Sequence, residues 1–171
     1  MGEYFMKLTP EQAVILIAQL DKEFKVLEKN CRLNRKAWER IEQGARDELD
    51  WAALGYTLHT LYTTMENYFL RISKTFESHL PSEAWHKHLI DAMQLDLPGI
   101  RPAFMDSELA GIADELRGFR HVFRSVYENR IDPDRITILQ NKIPQMQKLF
   151  SSAHRSFCDT ISELAVSKLS H

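Results

Sequence analysis

The sequence predicts an all-α protein, an up-and-down bundle of about five helices. Three observations predict it. Apolar residues recur every three or four positions along almost the whole chain, at the roughly 100° per residue of an amphipathic helix. Candidate N-caps followed by proline or by an acidic or amide residue punctuate that rhythm. No β-type alternation and no two-residue hairpin turn interrupts it.

Residues 1–8 read as a lead-in. Thr9-Pro10-Glu11-Gln12 then has the form of a helix start, with Thr9 as cap, Pro10 in the first turn and Gln12 closing a capping box. Ala13, Ile17, Leu20, Phe24, Leu27 and Cys31 follow at alternating spacings, and Trp38, Ile41 and Ala45 continue them. Residues 9–46 are therefore one long helix or two in tandem, with Gly44 marking the end. Asp50 is the candidate cap of the next helix, whose stripe is Leu54, Leu58, Leu61, Met65, Tyr68, Ile72 and Phe76. His59 and Glu66 fall on the flank of that stripe, at surface or boundary positions. Pro81 ends the pattern and Ser82 is placed to cap a short helix through Leu95.

Asp96-Leu97-Pro98-Gly99-Ile100-Arg101-Pro102 is a loop, since two prolines and a glycine forbid continuous helix across it. Asp106 or Ser107 caps a fourth helix, expected to run to about Asn129. Its apolar stripe is Leu109, Ile112, Leu116, Phe119, Phe123 and Val126. Asp132-Pro133 starts the last, with apolar positions from Ile136 to Leu164 in phase across Pro144. Unbroken phase through a proline predicts a kinked helix, two successive helices being the alternative. The length suits one domain over residues 1–171, with the bundle core in 50–171.

Charge is nearly balanced, 22 Lys and Arg against 24 Asp and Glu, so no bulk attraction to nucleic acid or anionic lipid exists and any such affinity needs a local patch. Such a patch is present on the fourth helix. Arg117, Arg120, His121 and Arg124 fall within about 100° of arc opposite the apolar stripe, with Ser125 and Tyr127 at its edges. Guanidinium forks fit phosphate, and imidazole moves protons near neutral pH. The face reads either as solvated surface or as a site for RNA phosphates.

The two cysteines, Cys31 and Cys158, lie on apolar helix faces in no CxxC or Cys/His motif, and read as buried free thiols of a reducing compartment. His86 and His88 project about 200° apart on a helix, which argues against a shared metal. No metal or other cofactor is expected. No apolar run approaches the roughly 20 residues of a membrane span, and the N-terminus lacks the pattern of a secretory signal. A cytoplasmic protein without membrane contact is expected.

From Tyr56 to Phe150 the chain resembles the HepT-like branch of the HEPN superfamily. The resemblance rests on Leu58-His59-Thr60-Leu61-Tyr62 with Glu66, Phe69 and Arg71-Ile72, then Leu80-Pro81-Ser82 with Trp85-His86, then Pro98-Gly99-Ile100-Arg101-Pro102, then Phe119-Arg120-His121. It implies a HEPN-like helical domain, a ribonuclease toxin working as a homodimer without metal, and a minimal nucleotidyltransferase as antitoxin partner. The family signature is Arg, four residues, His, one residue, Tyr.

Here those positions are Arg120, Ser125 and Tyr127, so serine replaces the signature histidine. The resemblance implies Arg120, His121 and Ser125 as the catalytic group, Arg117 and Arg124 as RNA-phosphate contacts, and Tyr127 as the acceptor of AMP from the partner. An unassisted serine hydroxyl cannot exchange a proton near neutrality. His121, one helical turn away, is the substitute the sequence offers, and weak or absent RNA cleavage is expected. The alternative is a non-catalytic module of the same fold that binds a nucleotide or a partner through its arginine face.

Overall fold

The computed structural model describes residues 8–77, 85–125 and 131–167, and these form six helices. α1 spans Pro10–Glu42, α2 Glu48–Phe76, α3 Trp85–Met93, α4 Ser107–Arg124, α5 Pro133–Gln140 and α6 Ile143–Ser167. Among the described residues no helix is long and apolar enough to cross a membrane.

α1, α2, α4 and α5 each begin where backbone donors find a side-chain acceptor. Thr9 caps α1 in a complete capping box with Gln12, the two bonds at 3.1 and 2.9 Å. α1 is one continuous helix, not a tandem pair, and Gly44 just beyond it takes φ +99°, the left-handed conformation that suits glycine after a helix end. The cap of α2 is Asp47. Asp50, the expected cap, occupies the third helical position and completes the box by accepting from the Asp47 amide. Acidic residues at both positions satisfy the rule, but only Asp47 has the extended backbone of a cap.

Polar pairs fix the direction of packing. Glu23–Arg71, Asn30–Thr64, Asn34–Thr57 and Arg40–Asp50 bridge α1 and α2 with one number rising as the other falls, so the two helices are antiparallel. Gly55 and Glu66 of α2 meet Phe123 and Arg120 of α4 in the same inverse order. Glu108 and Glu115 of α4 pair with Gln145 and Lys142 at the start of α6. The four long helices thus alternate up and down, as their stripes predict.

The core between them is rich in aromatic rings, with Tyr68, Phe69, Phe104, Phe150 and Phe157 in edge-to-face or stacked contact. Leu8, expected in the loose lead-in, is buried in it. Asn34 is also buried. It exchanges two side-chain bonds with Gln140 of α5 at 2.8 and 2.9 Å and a third with Thr57, tying three helices by one amide.

The C-terminal region is two helices, not one kinked helix. α5 stops at Gln140, and Lys142 donates to Leu139 O in a tighter turn. Pro144 then falls in the first turn of α6, where its missing N–H leaves no bond unmade. Both helices turn the same face inward, which is why the apolar phase survives the break. α3 ends at Met93 and α4 at Arg124, each short of the expected boundary. Ser82, the expected cap of α3, lies outside the described residues.

The loop between α3 and α4 is organised by Arg101. Leu97-Pro98-Gly99-Ile100 makes a type II turn closed by Ile100 N–H to Leu97 O at 2.9 Å, and Gly99 supplies its φ of +79°. Arg101 then points inward and is fully buried. Its guanidinium pairs with Glu77 at 2.5 Å and donates to the carbonyls of Ala92, Leu95 and Pro102 at 2.9 to 3.3 Å. Replacing it by Met would strand Glu77 and three carbonyls, so Arg101→Met should lower stability by about 3–5 kcal/mol. Urea unfolding measures this, and a loss under about 1 kcal/mol would show that the network is dispensable.

Candidate phosphate site

Close contact between α2 and α4 creates the site. Asp106 caps α4 by accepting from Leu109 N–H at 2.9 Å, and Leu109, Ile112, Leu116 and Phe119 are buried as predicted. Phe123 lies over Gly55, where a Cβ atom would come within 2.7 Å of the ring, so glycine is what lets the last turns of α4 settle onto α2. The face opposite the apolar stripe is left against α3.

There Arg117, Arg120, His121, Arg124 and Ser125 line one pocket of about 390 Å³, together with His86 of α3. A pocket of that size suits a nucleotide-sized ligand. Five positions singled out on the sequence are therefore brought together. The sixth, Tyr127, lies outside the described residues. The sequence reading missed the other two components, His86 and Glu66.

Glu66 is a correction. It was expected at a surface or boundary position but is 4% exposed, because α3 and α4 close over it. One carboxylate oxygen bonds Arg120 Nη1 at 3.2 Å and the other bonds His86 Nδ1 at 2.5 Å. The clue available in the sequence was that Glu66 is the only acid between Asp50 and Glu77 and lies beside the apolar stripe of α2, since a carboxylate is rarely buried without partners. His121 is likewise not the only imidazole at hand: His86 lines the same pocket while His88 is exposed.

Arg120 also lies over the Tyr62 ring, 5.6 Å from its centroid. The Nε of Arg120 and His59 Nδ1 are buried without a hydrogen-bond partner among the described residues. Each such atom costs about 1–3 kcal/mol.

The cationic field is uneven. Arg117 is bonded to Asp114 at 2.8 Å and Arg120 to Glu66, whereas Arg124 makes no ion pair with any described residue. Ser125 is the C-cap of α4 and donates its hydroxyl to the His121 carbonyl at 2.8 Å. His59 is pushed below the usual imidazole range by burial and then by the charges of Arg120 and Arg124. Burial, then the Glu66 charge, raises the Tyr62 phenol.

Cys31 and Cys158 are both free, Cys31 buried and Cys158 half-buried. Cys158 does belong to a Cys/His/Asp group, which sequence spacing concealed because Asp21 comes from α1. Asp21, His154 and Cys158 have potential ligand atoms within 4.8 Å of one another. His154 bonds Asp21 through Nε2 at 3.1 Å and the Tyr68 hydroxyl through Nδ1 at 2.7 Å, so both ring nitrogens already have partners.

The family profile described as HepT-like protein matches residues 53–161, a span that contains all of α3 and α4, most of α2 and every residue lining the pocket. Neither a curated protein nor a solved structure matches the chain significantly.

The charge on Arg124 is read directly by His59. In Arg124→Ala the titration midpoint of His59 should move up toward the ordinary value, measured from its ring proton signals by NMR. An unchanged midpoint would mean that burial and the Arg120 charge set it without Arg124.

Proposed function

The chain belongs to the HepT-like family, and we propose that its Arg120 pocket is the phosphate site of a HEPN-type endoribonuclease with a weakened active centre. The observation that carries this reading is the convergence of Arg117, Arg120, His121 and Arg124 on one pocket. An RNA phosphodiester supplies acceptors for the guanidinium donors and negative charge for the field. The 2′-oxygen would attack the adjacent phosphorus, with Arg120 and Arg124 over the charge that develops on the phosphoryl oxygens.

Ser125 cannot stand in for the family's histidine. Its proton is committed to the His121 carbonyl, and its hydroxyl titrates far above neutrality. Loss of a general acid or base lowers a rate by about 10²- to 10⁴-fold, so slow cleavage fits the serine. As the family resemblance implies, the working unit is a homodimer, its partner a minimal nucleotidyltransferase, and Tyr127 the residue that accepts AMP. An adenylyl group on Tyr127 would add a fixed negative charge to a segment whose arginines RNA phosphates need.

A second reading, a binding module with no chemistry, draws support from the pairing of Arg117 and Arg120 with internal acids. Cleavage of single-stranded RNA in the presence of chelator separates the two. Ser125→His should raise the rate by about 10²-fold or more, and Arg120→Ala should abolish it. If Ser125→His leaves the rate at background, the pocket is not a nuclease centre.

Intact mass after co-expression with the adjacent reading frame should show one added AMP, absent from Tyr127→Phe. An unmodified chain, or an adduct that persists in that variant, removes the proposed role of Tyr127.

A further inference from the structure

We propose that Tyr56 is the stacking platform for a nucleobase of the RNA strand whose phosphate lies in the Arg120 pocket; the assignment rests on the phosphate-site reading above. A single exposed ring is ordinary at a protein surface. Tyr56 differs because it is the outermost of a series of ring contacts that begins in the core. Phe119 stacks on Phe123 with centroids 5.5 Å apart, Phe123 meets His59 at 6.0 Å, and His59 meets Tyr56 at 6.5 Å. Exposure rises from 6% at Phe119, through half-buried Phe123 and His59, to 57% at Tyr56.

The series runs beside the cationic face. Gly55 lies under the Phe123 ring, so its neighbour Tyr56 and the neighbour of Phe123, Arg124, come to the same end of the contact between α2 and α4. Arg120, one turn earlier on α4, lies over Tyr62 and is bonded to Glu66. Tyr56, His59, Tyr62 and Glu66 of α2 fall within about 120° of arc, on the side that faces those arginines. The rise of the helix puts Tyr56 about 9 Å along the axis from Tyr62. That separation is comparable to the reach from a phosphate to the base of a neighbouring nucleotide.

The two ends of this surface suit different parts of one ligand. Guanidinium forks take phosphate oxygens, whereas the flat face of an exposed tyrosine takes an unpaired base of any identity. A ring already held by its neighbours gives up little freedom when a base is laid on it. Burial, then the charges of Arg120 and Arg124, push His59 below the usual imidazole range. His59 therefore adds neutral ring surface beside Tyr56, and both guanidiniums act on this end of α2. Stacking requires a base, so a bare phosphate would engage the arginines and leave Tyr56 untouched.

Two measurements on the full chain decide the assignment. In the first, inorganic phosphate and adenosine 3′-monophosphate are titrated separately into isotope-labelled protein, and the side-chain signals of Arg120, Arg124, His59 and Tyr56 are followed by NMR. Both ligands should shift the arginines, and only the nucleotide should shift the Tyr56 ring. If the nucleotide shifts the arginines and leaves Tyr56 where phosphate alone leaves it, the stacking platform is overturned and the phosphate site stands. If neither ligand shifts the arginines, the phosphate reading fails and takes the assignment with it.

In the second, dissociation constants are measured for a short 2′-O-methyl oligoribonucleotide, which lacks the attacking hydroxyl, and for an abasic strand of the same length. Tyr56→Ala should weaken binding of the first by about 5- to 150-fold and leave binding of the abasic strand unchanged. Tyr56→Phe, which keeps the ring, should bind both strands as the parent does. Ile138→Ala, an equally exposed apolar position on α5, should also match the parent. An equal loss on both strands, or no loss on either, overturns the platform. So does a Tyr56→Phe loss as large as that of Tyr56→Ala, because the hydroxyl and not the ring would then be the contact.

Discussion

A single buried carboxylate, Glu66, ties the site together. Taking a charge out of water costs several kcal/mol unless partners replace the lost solvent. Glu66 meets that requirement with one partner from each of two other helices, Arg120 of α4 and His86 of α3. The same interactions therefore set the relative positions of α2, α3 and α4. The fold delivers the arginine to the acid through two features: the buried stripe from Leu109 to Phe119, and the missing side chain at Gly55 that admits the Phe123 ring.

The pocket that results is partly self-neutralised. Glu66 and Asp114 temper Arg120 and Arg117, so the arginine patch can coexist with a folded bundle instead of forcing its helices apart. Arg124 remains without an ion partner among the described residues. Ser125 turns back on its own helix, donating its hydroxyl to the His121 carbonyl.

Most of the architecture was legible in the sequence because it is written in local periodicity. The stripes of α1, α2 and α4, the Thr9 capping box and the turn at Pro98-Gly99 are each decided by residues within a few positions of one another. The departures occur where distant residues decide. Asp47 and Asp50 are both acceptable caps locally, and backbone geometry chose the first. Pro144 looked like a kink because α5 and α6 share an inward face across the break. Glu66 looked like a flank residue because its partners are 20 and 54 positions away. Likewise Asp21 joins His154 and Cys158 only through the contact of α1 with α6. The basic face of α4 could be predicted as a face, but its conversion into a pocket needed α3, and with it the second imidazole.

Membership of the HepT-like family and the alternating helices stand on the match over residues 53–161 and on the packing. The chemistry stands on the claim that the Arg120 pocket receives an RNA phosphate. A crystal structure of the chain with a non-cleavable 2′-deoxy dinucleotide tests that claim most directly. The account predicts the bridging phosphate within hydrogen-bonding distance of the Arg120 guanidinium. A dinucleotide bound at another face, with the pocket unoccupied, would contradict it.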